Sequence, residues 1–204
     1  MKNSYLGLGY PIISDQITAK ELTVLLSELS AVISRGVIGD VVELGCYEGT
    51  AALHEMRLIR QLASDKQLWL YDSFEGLPEK SLADFSPAGT QFTTGALRTS
   101  KQKLIHNFKK AGLPLPKVKK AWFKDLKTDD LPDKICFAFL DGDYYDSIIQ
   151  SLRLVWPKLS PGATVIVDDY QNEALPGAAR AVNTWLSTHA VSISVEASLA
   201  IIRV

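Results

Sequence analysis

The sequence is poor in the residues that bind soft metals or form disulfides. It has two cysteines, Cys46 and Cys136, and three histidines among 204 residues, and none of them stands at metal-ligand spacing. Two isolated cysteines predict reduced thiols with packing roles rather than a disulfide framework. A thiolate metal site is therefore not expected.

Long apolar runs and an excess of one charge are also missing. No stretch reaches the ~18 apolar residues that a membrane span needs, and residues 1–6 lack the apolar core of a signal peptide. Lys and Arg number 22 and Asp and Glu 23, for a net charge of -1. The scattered basic residues predict neither a nucleic-acid groove nor a membrane surface. We therefore expect a cytoplasmic protein whose partner is a small molecule.

The spacing of apolar residues predicts one α/β domain that spans residues 1–204. Five apolar runs alternate with helical patterns, and the last two runs, 192–196 and 199–204, lie too close together for a parallel crossover. The expected fold class is a Rossmann-like, doubly wound sheet of seven strands, mostly parallel, with a C-terminal antiparallel hairpin. Outside the sheet we expect an irregular arm at 1–17, an N-terminal helix at 18–36, and a lid at 73–98, a long Gly-, Pro- and Phe-containing segment.

A glycine turn at residues 45–49 follows the first predicted strand and leads into a helix. This pattern is typical of a nucleotide-binding crevice, because glycine lets a ligand approach the backbone and the helix start offers free N–H groups. A dinucleotide loop needs a second glycine where Tyr47 stands. We therefore expect a ligand without phosphates and disfavour a nicotinamide-dependent oxidoreductase. The alternative is a strand-to-helix turn with no ligand.

Acidic residues close three of the predicted strands. Asp72 ends the second strand, Asp141 ends the fourth, and Asp168 and Asp169 follow the fifth. Asp72 is placed to accept both hydroxyl hydrogen bonds of a ribose, although aspartate is also common in surface turns. The carboxylates of adjacent strand ends repel one another unless a cation joins them or a pKa rises, and oxygen ligands favour Mg²⁺. Asp141, Asp168 and Asp169 are thus the predicted metal ligands, with a capped loop as the alternative.

Five segments together resemble a known enzyme family: residues 42–49, 71–78, 122–125, 140–147 and 165–170. The most specific are Asp-Ser-Phe-Glu-Gly-Leu-Pro at 72–78 and Asp-Gly-Asp-Tyr-Tyr at 141–145. They resemble the class I S-adenosylmethionine-dependent methyltransferases and, more narrowly, the macrocin O-methyltransferase family, which methylates sugar hydroxyls of macrolides with magnesium. The resemblance implies an S-adenosylmethionine- and Mg²⁺-dependent O-methyltransferase acting on a sugar or other natural-product hydroxyl.

Such an enzyme must align an acceptor oxygen with the methyl carbon, and Mg²⁺ would bind and acidify that hydroxyl. Asp141 and Asp143 are the candidate catalytic residues. Asp143 is either the general base or the cap of the helix that begins near Tyr145, and both uses remain open. Trp122 either contacts the adenine or belongs to the core. The cofactor-binding residues we expect are Glu43, Gly45, Cys46, Tyr47, Asp72, Ser73, Trp122, Phe123 and Asp141.

Two other functions remain open: a catechol-like phenol O-methyltransferase, and a non-catalytic S-adenosylmethionine-binding protein, for which a defective carboxylate triad would be the mark. Acceptor choice resides in the predicted lid and arm, where the sequence has no readable chemistry. Exposed-looking apolar residues in the arm predict a possible homodimer in which one arm closes the neighbour's site. These residues are Tyr5, Leu6, Tyr10, Ile12 and Ile13.

Overall fold

Seven strands form one sheet in this computed structural model, which describes residues 9–204. The strands are β1 (Asp40–Leu44), β2 (Leu68–Asp72), β3 (Lys117–Lys120), β4 (Ile135–Leu140), β5 (Leu159–Val167), β6 (Ile193–Glu196) and β7 (Leu199–Arg203). Their order is β3-β2-β1-β4-β5-β7-β6, and β7 runs antiparallel to both of its neighbours while the other pairs are parallel. The predicted fold class, with its C-terminal hairpin, is confirmed.

Helices cover both faces of the sheet. Within the described residues they are α1 (Ala19–Ser34), α2 (Thr50–Gln61), α3 (Lys101–Lys110), α4 (Tyr145–Val155) and α5 (Pro176–Leu186). Val41 packs with α1, α2 and α3 on one face, and Val42 packs with α4 and α5 on the other, because successive strand residues point to opposite faces. Strand β4 is buried on both faces, which explains its six apolar residues. No helix in residues 9–204 is both long and apolar enough to cross a bilayer.

Local signals determine where several elements begin and end. Helix α1 starts after Thr18, whose hydroxyl accepts the N–H of Glu21 at 3.2 Å while the Glu21 carboxylate accepts the N–H of Thr18 at 2.7 Å. This reciprocal pair is a capping box. Strand β3 ends at Lys120, because the chain then turns into a short 3₁₀ helix, Phe123–Asp125, with Trp122 as its N-cap.

The described part of the arm lies on α2 of the same chain. The guanidinium of Arg57 stacks 3.9 Å from the centre of the Tyr10 ring, and the hydroxyls of Ser14 and Thr50 are 2.6 Å apart. Residues 9–18 contain neither helix nor strand. Tyr5 and Leu6, which belong to the predicted dimer surface, lie outside the described residues.

Residues 73–98, here called the lid segment, contain two short 3₁₀ helices, Leu82–Asp84 and Pro87–Gly89. Its three phenylalanines have different environments. Phe74 is part of the core beneath α2, Phe85 is 62% exposed, and Phe92 packs near the buried Tyr144. Of the three, Phe92 is the one that lines the large cavity described below.

The junction of β1 with α2 leaves no room for a side chain at Gly45. Its φ is +97°, and a Cβ there would lie 1.7 Å from the carbonyl oxygen of Asp141. We expect Gly45→Ala to lower the free energy of unfolding by about 2–4 kcal/mol, because left-handed backbone strain and a steric clash add together. Urea denaturation measures this loss.

The control is Gly36→Ala. Gly36 also has a positive φ, +68°, but no atom lies within 4 Å of its added Cβ. This change should cost about 1 kcal/mol, from backbone strain alone. Equal losses for the two variants would contradict the close approach of Gly45 to Asp141.

Candidate active site

A cavity of about 1190 Å³ opens where β1, β2 and β4 end. Loops after these strands, the lid segment and the arm all contribute to its wall. Ligands bind at this edge in open α/β sheets. The volume exceeds the ~300–1000 Å³ common for a single small-molecule pocket. The cavity therefore has room for a cofactor and an acceptor side by side.

Asp72 holds the glycine loop in shape. Its Oδ2 accepts the backbone N–H of Tyr47 at 2.8 Å, and its Oδ1 accepts that of Phe74 at 2.6 Å. Tyr47 has a φ of +44°, which few residues other than glycine adopt, so the loop needs this support. Burial raises the pKa of Asp72, against the lowering effect of these hydrogen bonds. Asp72 also lines the large cavity, and its role in binding the ribose remains a prediction.

Glu43 and Cys46 lie beneath the loop rather than in the cavity wall. Cys46 is 3% exposed and packs in the core, and Glu43 is 2% exposed. Neither side chain lines the cavity, although both are among the expected cofactor contacts. Glu43 lies close to Glu55 on α2. Burial raises the pKa of Glu55 to about 8, and burial together with repulsion from Glu55 and Asp72 raises the pKa of Glu43 well above its usual range.

The other expected cofactor residues line the cavity. Gly45, Tyr47 and Asp72 do so on one side, and Trp122 and Phe123 do so from the turn after β3. Trp122 is half-buried and lies outside the core clusters. It therefore belongs to the cavity wall and not to the core. Ser73 and Asp141 also line the cavity. Their contacts with a cofactor remain predictions.

Three carboxylates, called here the carboxylate cluster, meet at the ends of β4 and β5. Asp141, Asp143 and Asp169 each offer an oxygen within 4.8 Å of the others. This set differs from the predicted one, which contains Asp168 in place of Asp143. Asp168 is 4% exposed, and its Oδ1 accepts the N–H of Asp169 at 2.8 Å. One carboxylate oxygen is thereby engaged by the backbone, yet Asp168 is the charged neighbour that repels Asp141 most strongly. The role of Asp168 as a metal ligand remains a prediction.

Burial and mutual repulsion raise the pKa values of the carboxylate cluster. Burial raises the pKa of Asp141 and of Asp143 well above the usual range, with repulsion from neighbouring aspartates second, and burial raises the pKa of Asp169 to about 6. Asn172 donates from Nδ2 to Asp169 Oδ1 at 2.7 Å and orients that carboxylate. Carboxylate oxygens without thiols or imidazoles are the donors that a hard divalent cation prefers, so the residues fit Mg²⁺.

Asp143 does not cap α4. It has a left-handed φ of +58° in the turn before the helix. The first helical N–H, that of Tyr145, is instead accepted by Asp84 Oδ1 of the lid segment at 2.7 Å. Of the two roles left open by the sequence, the cap belongs to Asp84, and the role of Asp143 as a base stays a prediction.

Several polar residues that line the cavity carried no sequence signal. They come from the arm, the lid segment, α4 and the loop after β5, and include Asp15, Gln16, Gln91, Thr94, Gln150 and Asn172. Only Asn172 stands near a predicted site residue, three positions after Asp169. The others reach the cavity through tertiary packing, which spacing along the chain does not reveal.

Comparison with known proteins decides the family. A family model described as macrocin O-methyltransferase matches residues 6–198. The chain belongs to the macrocin O-methyltransferase family. It is accordingly an S-adenosylmethionine-dependent O-methyltransferase, as the motifs predicted.

Two curated relatives act on sugar-bearing natural products. A tetracenomycin-C rhamnosyl 4'-O-methyltransferase of Streptomyces olivaceus is 32% identical over 178 residues, covering 83% of this chain and 67% of that protein. The mycinamicin III 3''-O-methyltransferase of Micromonospora griseorubida is 29% identical over 196 residues, covering 91% and 76%.

Solved structures share the fold of this macrocin O-methyltransferase family member. The O-methyltransferase NovP superposes with a TM-score of 0.74 at 26% identity, over 87% of this chain and 76% of that one. The calicheamicin methyltransferase CalS11 superposes with a TM-score of 0.70 at 19% identity, over 90% and 79%, which shows the fold alone.

The raised pKa values predict how stability depends on pH when no metal is present. Asp169 titrates near 3.8 when unfolded and at about 6 when folded, so between these values the folded state binds more protons. Its stabilising contribution is present below about pH 4 and is lost as pH rises through about 6. In EDTA we expect Asp169→Asn to weaken this pH dependence by up to about 3 kcal/mol between about pH 4 and 7.5.

Urea denaturation at several pH values, with the wild type and with the exposed Asp129→Asn as the matched charge control, measures this effect. Asp129→Asn should follow the wild-type curve, because Asp129 is exposed. A curve for Asp169→Asn parallel to that of the wild type would contradict the repulsive cluster.

Proposed function

We propose that this methyltransferase acts on a sugar hydroxyl of a natural product and that it uses Mg²⁺, held by Asp141, Asp143 and Asp169. The supporting observation is the approach of these three carboxylates to within 4.8 Å inside a cavity shared with the glycine loop. Bound there, Mg²⁺ would supply Lewis acidity and orientation for an acceptor hydroxyl. The sulfonium of S-adenosylmethionine supplies a methyl group that is already activated for transfer. The main requirement is therefore the alignment of the acceptor oxygen with the methyl carbon.

The protein's own groups do the positioning. Asp72 and the glycine loop form the wall where the cofactor binds, and the lid segment covers the opposite side and excludes water. Asp143 accepts the acceptor's hydroxyl proton, since a carboxylate has a second oxygen free when the first binds an ion. The same placement would serve a phenol acceptor, but both curated relatives named above act on sugar-bearing molecules.

Exchange of single aspartates separates the observed carboxylate cluster from the set that the sequence predicts. Asp143→Asn should lower kcat by about 10²-fold or more, because the proton acceptor and one ligand oxygen are lost. The Kd for S-adenosylmethionine should change less than about threefold, since Asp143 is not expected among the cofactor contacts. Steady-state kinetics with added MgCl₂ or EDTA, and calorimetric binding of S-adenosylmethionine, measure both quantities.

The matched comparison is Asp168→Asn, a neighbouring buried aspartate that belongs to the ligand set predicted from the sequence but not to the three converging carboxylates. Its amide oxygen can still accept the N–H of Asp169, so kcat should fall by less than about tenfold. A severe loss in Asp168→Asn with an active Asp143→Asn would support the predicted ligand set instead. Full wild-type activity in EDTA would remove the metal from the proposal.

The charge of the cavity favours an acceptor without phosphate. Asp15, Glu79 and Asp146 line it in addition to the strand-end aspartates, and Lys124 is the one basic residue in its wall within the described chain. Like charges repel strongly in a partly enclosed site. A neutral glycoside or an amino sugar therefore fits the site better than a nucleoside-diphosphate sugar or a coenzyme A thioester.

A panel of acceptors tests this selectivity. We expect neutral rhamnosides to exceed TDP-rhamnose in kcat/KM by at least about tenfold at low salt, with the gap narrowing as ionic strength rises, because salt screens the repulsion. Catechol in the same panel represents the phenol alternative. Asp146→Asn should improve use of TDP-rhamnose, whereas Asp129→Asn, which removes a charge outside the cavity, should not. A preference for TDP-rhamnose at every salt concentration would contradict the charge argument.

A further inference from the structure

A buried carboxylate, Asp84, fastens the lid segment to the first residue of α4. Asp84 is 1% exposed. Its Oδ2 accepts hydrogen bonds from the N–H of Ser81 at 2.9 Å and from the Ser81 hydroxyl at 2.6 Å, inside the lid segment. Its Oδ1 accepts the N–H of Tyr145 at 2.7 Å. One side chain thus joins two elements that lie 61 residues apart in the chain.

This bond closes a helix end that has no cap of its own. Tyr144 is at the N-cap position of α4 and makes no side-chain hydrogen bond to the helix. The first N–H groups of a helix have no partner within it, and a carboxylate is favoured there by the helix dipole. Asp84 therefore does for α4 what a local Ser, Thr or Asp does for most helices.

The turn before α4 carries the carboxylate cluster's Asp143 in a strained conformation. A φ of +58° costs an L-residue about 1–2 kcal/mol and persists only when neighbours hold it. The lid segment supplies two such ties on this side. The Tyr144 hydroxyl donates to the carbonyl of Phe92 at 3.0 Å, and the Tyr145 N–H donates to Asp84.

Helix α5 packs closely against the hydrogen bond between Asp84 and Tyr145. A Cβ on Gly177 would lie 1.8 Å from Asp84 Oδ1 and 2.6 Å from the backbone nitrogen of Tyr145. The lack of space, rather than the backbone angle, is what excludes a side chain here. The packing is tight on that side, and loss of the carboxylate removes the side chain that accepts the Tyr145 N–H.

We propose that Asp84 is a positioning residue for the carboxylate cluster. By capping α4 it fixes the turn in which Asp141 and Asp143 face Asp169, so that divalent-cation affinity depends on the docked lid segment. The effect of Asp84 on cation affinity rests on the metal site of the proposed function. The effect of Asp84 on the rigidity of the turn rests only on its own hydrogen bonds.

Two measurements on the full-length protein test the two parts of this inference. Amide hydrogen exchange over residues 141–148 reports whether the turn is fixed. Titration with Mn²⁺, followed by electron paramagnetic resonance, reports cation affinity. For Asp84→Ala we expect exchange to accelerate by about tenfold or more in this segment. The Kd for Mn²⁺ should rise about 10–100-fold, and that for S-adenosylhomocysteine by less than about threefold.

Two further variants change the same contact in other ways. Asp84→Asn keeps an oxygen that can accept the Tyr145 N–H, and it should recover most of the Mn²⁺ affinity. Gly177→Ala should reproduce the defect by displacing the carboxylate. The matched control is Asp40→Ala: the Asp40 carboxylate accepts the N–H of Gln67 at 3.0 Å and that of Trp69 Nε1 at 2.9 Å, at the opposite end of the strands. It should leave exchange over 141–148 and Mn²⁺ affinity unchanged.

The outcomes separate this inference from the proposed function. Unchanged exchange over 141–148 in Asp84→Ala, or an equal acceleration in Asp40→Ala, would overturn the positioning role. Faster exchange with unchanged Mn²⁺ affinity would overturn the link to the cation. Failure of the wild type to bind Mn²⁺ would refute the proposed metal site, while the exchange data would still decide whether Asp84 fixes the turn.

Discussion

The pairing of β1 with β4 brings the two halves of the site together. Leu44 lies opposite Leu140 in the register, the N–H of Asp141 donates to the carbonyl of Leu44 at 2.9 Å, and Gly45 packs directly on the Asp141 carbonyl. The loop for the cofactor and the turn with the carboxylate cluster therefore leave the sheet side by side. Any side chain at Gly45 would force them apart, so the glycine serves the geometry of both.

The same arrangement concentrates negative charge. Strand ends that converge on one edge deliver Asp72, Asp141 and Asp169 to one cavity, and burial removes the water that would otherwise screen them. Without a cation, only protonation reduces the repulsion among the three carboxylates. Their raised pKa values reflect burial and this repulsion. A divalent cation bound there, as proposed, would relieve this repulsion and would stabilise the folded protein.

The sequence allowed the frame of this fold to be predicted because its signals are local. The all-apolar β4, the Thr18 capping box and the acids that end the strands each follow from a few neighbouring residues. The directions of the aspartates that follow the strands mark the limit. Asp143 and Asp169 both have left-handed φ values, +58° and +59°, so irregular turns rather than a strand pattern decide which carboxylate oxygens converge.

Contacts that are distant in sequence were equally beyond prediction. Asp15 reaches the cavity because the arm folds over α2, and Asp84 reaches α4 across 61 residues. Neither position belongs to a periodic pattern, since each is determined by how separate elements pack. Both residues nevertheless line the cavity.

This division between local and distant signals has a functional consequence. The groups proposed to bind the methyl donor and the cation follow the strand ends, which the sheet holds in place. The rest of the cavity wall comes from the arm, the lid segment and α4, and such connecting segments vary more readily than a sheet. Because Asp84 ties the lid segment to the turn of Asp143, however, these regions are mechanically joined. A lid segment that changes to suit another acceptor must keep an acceptor for the Tyr145 N–H, or the carboxylate cluster loses its shape together with the old specificity.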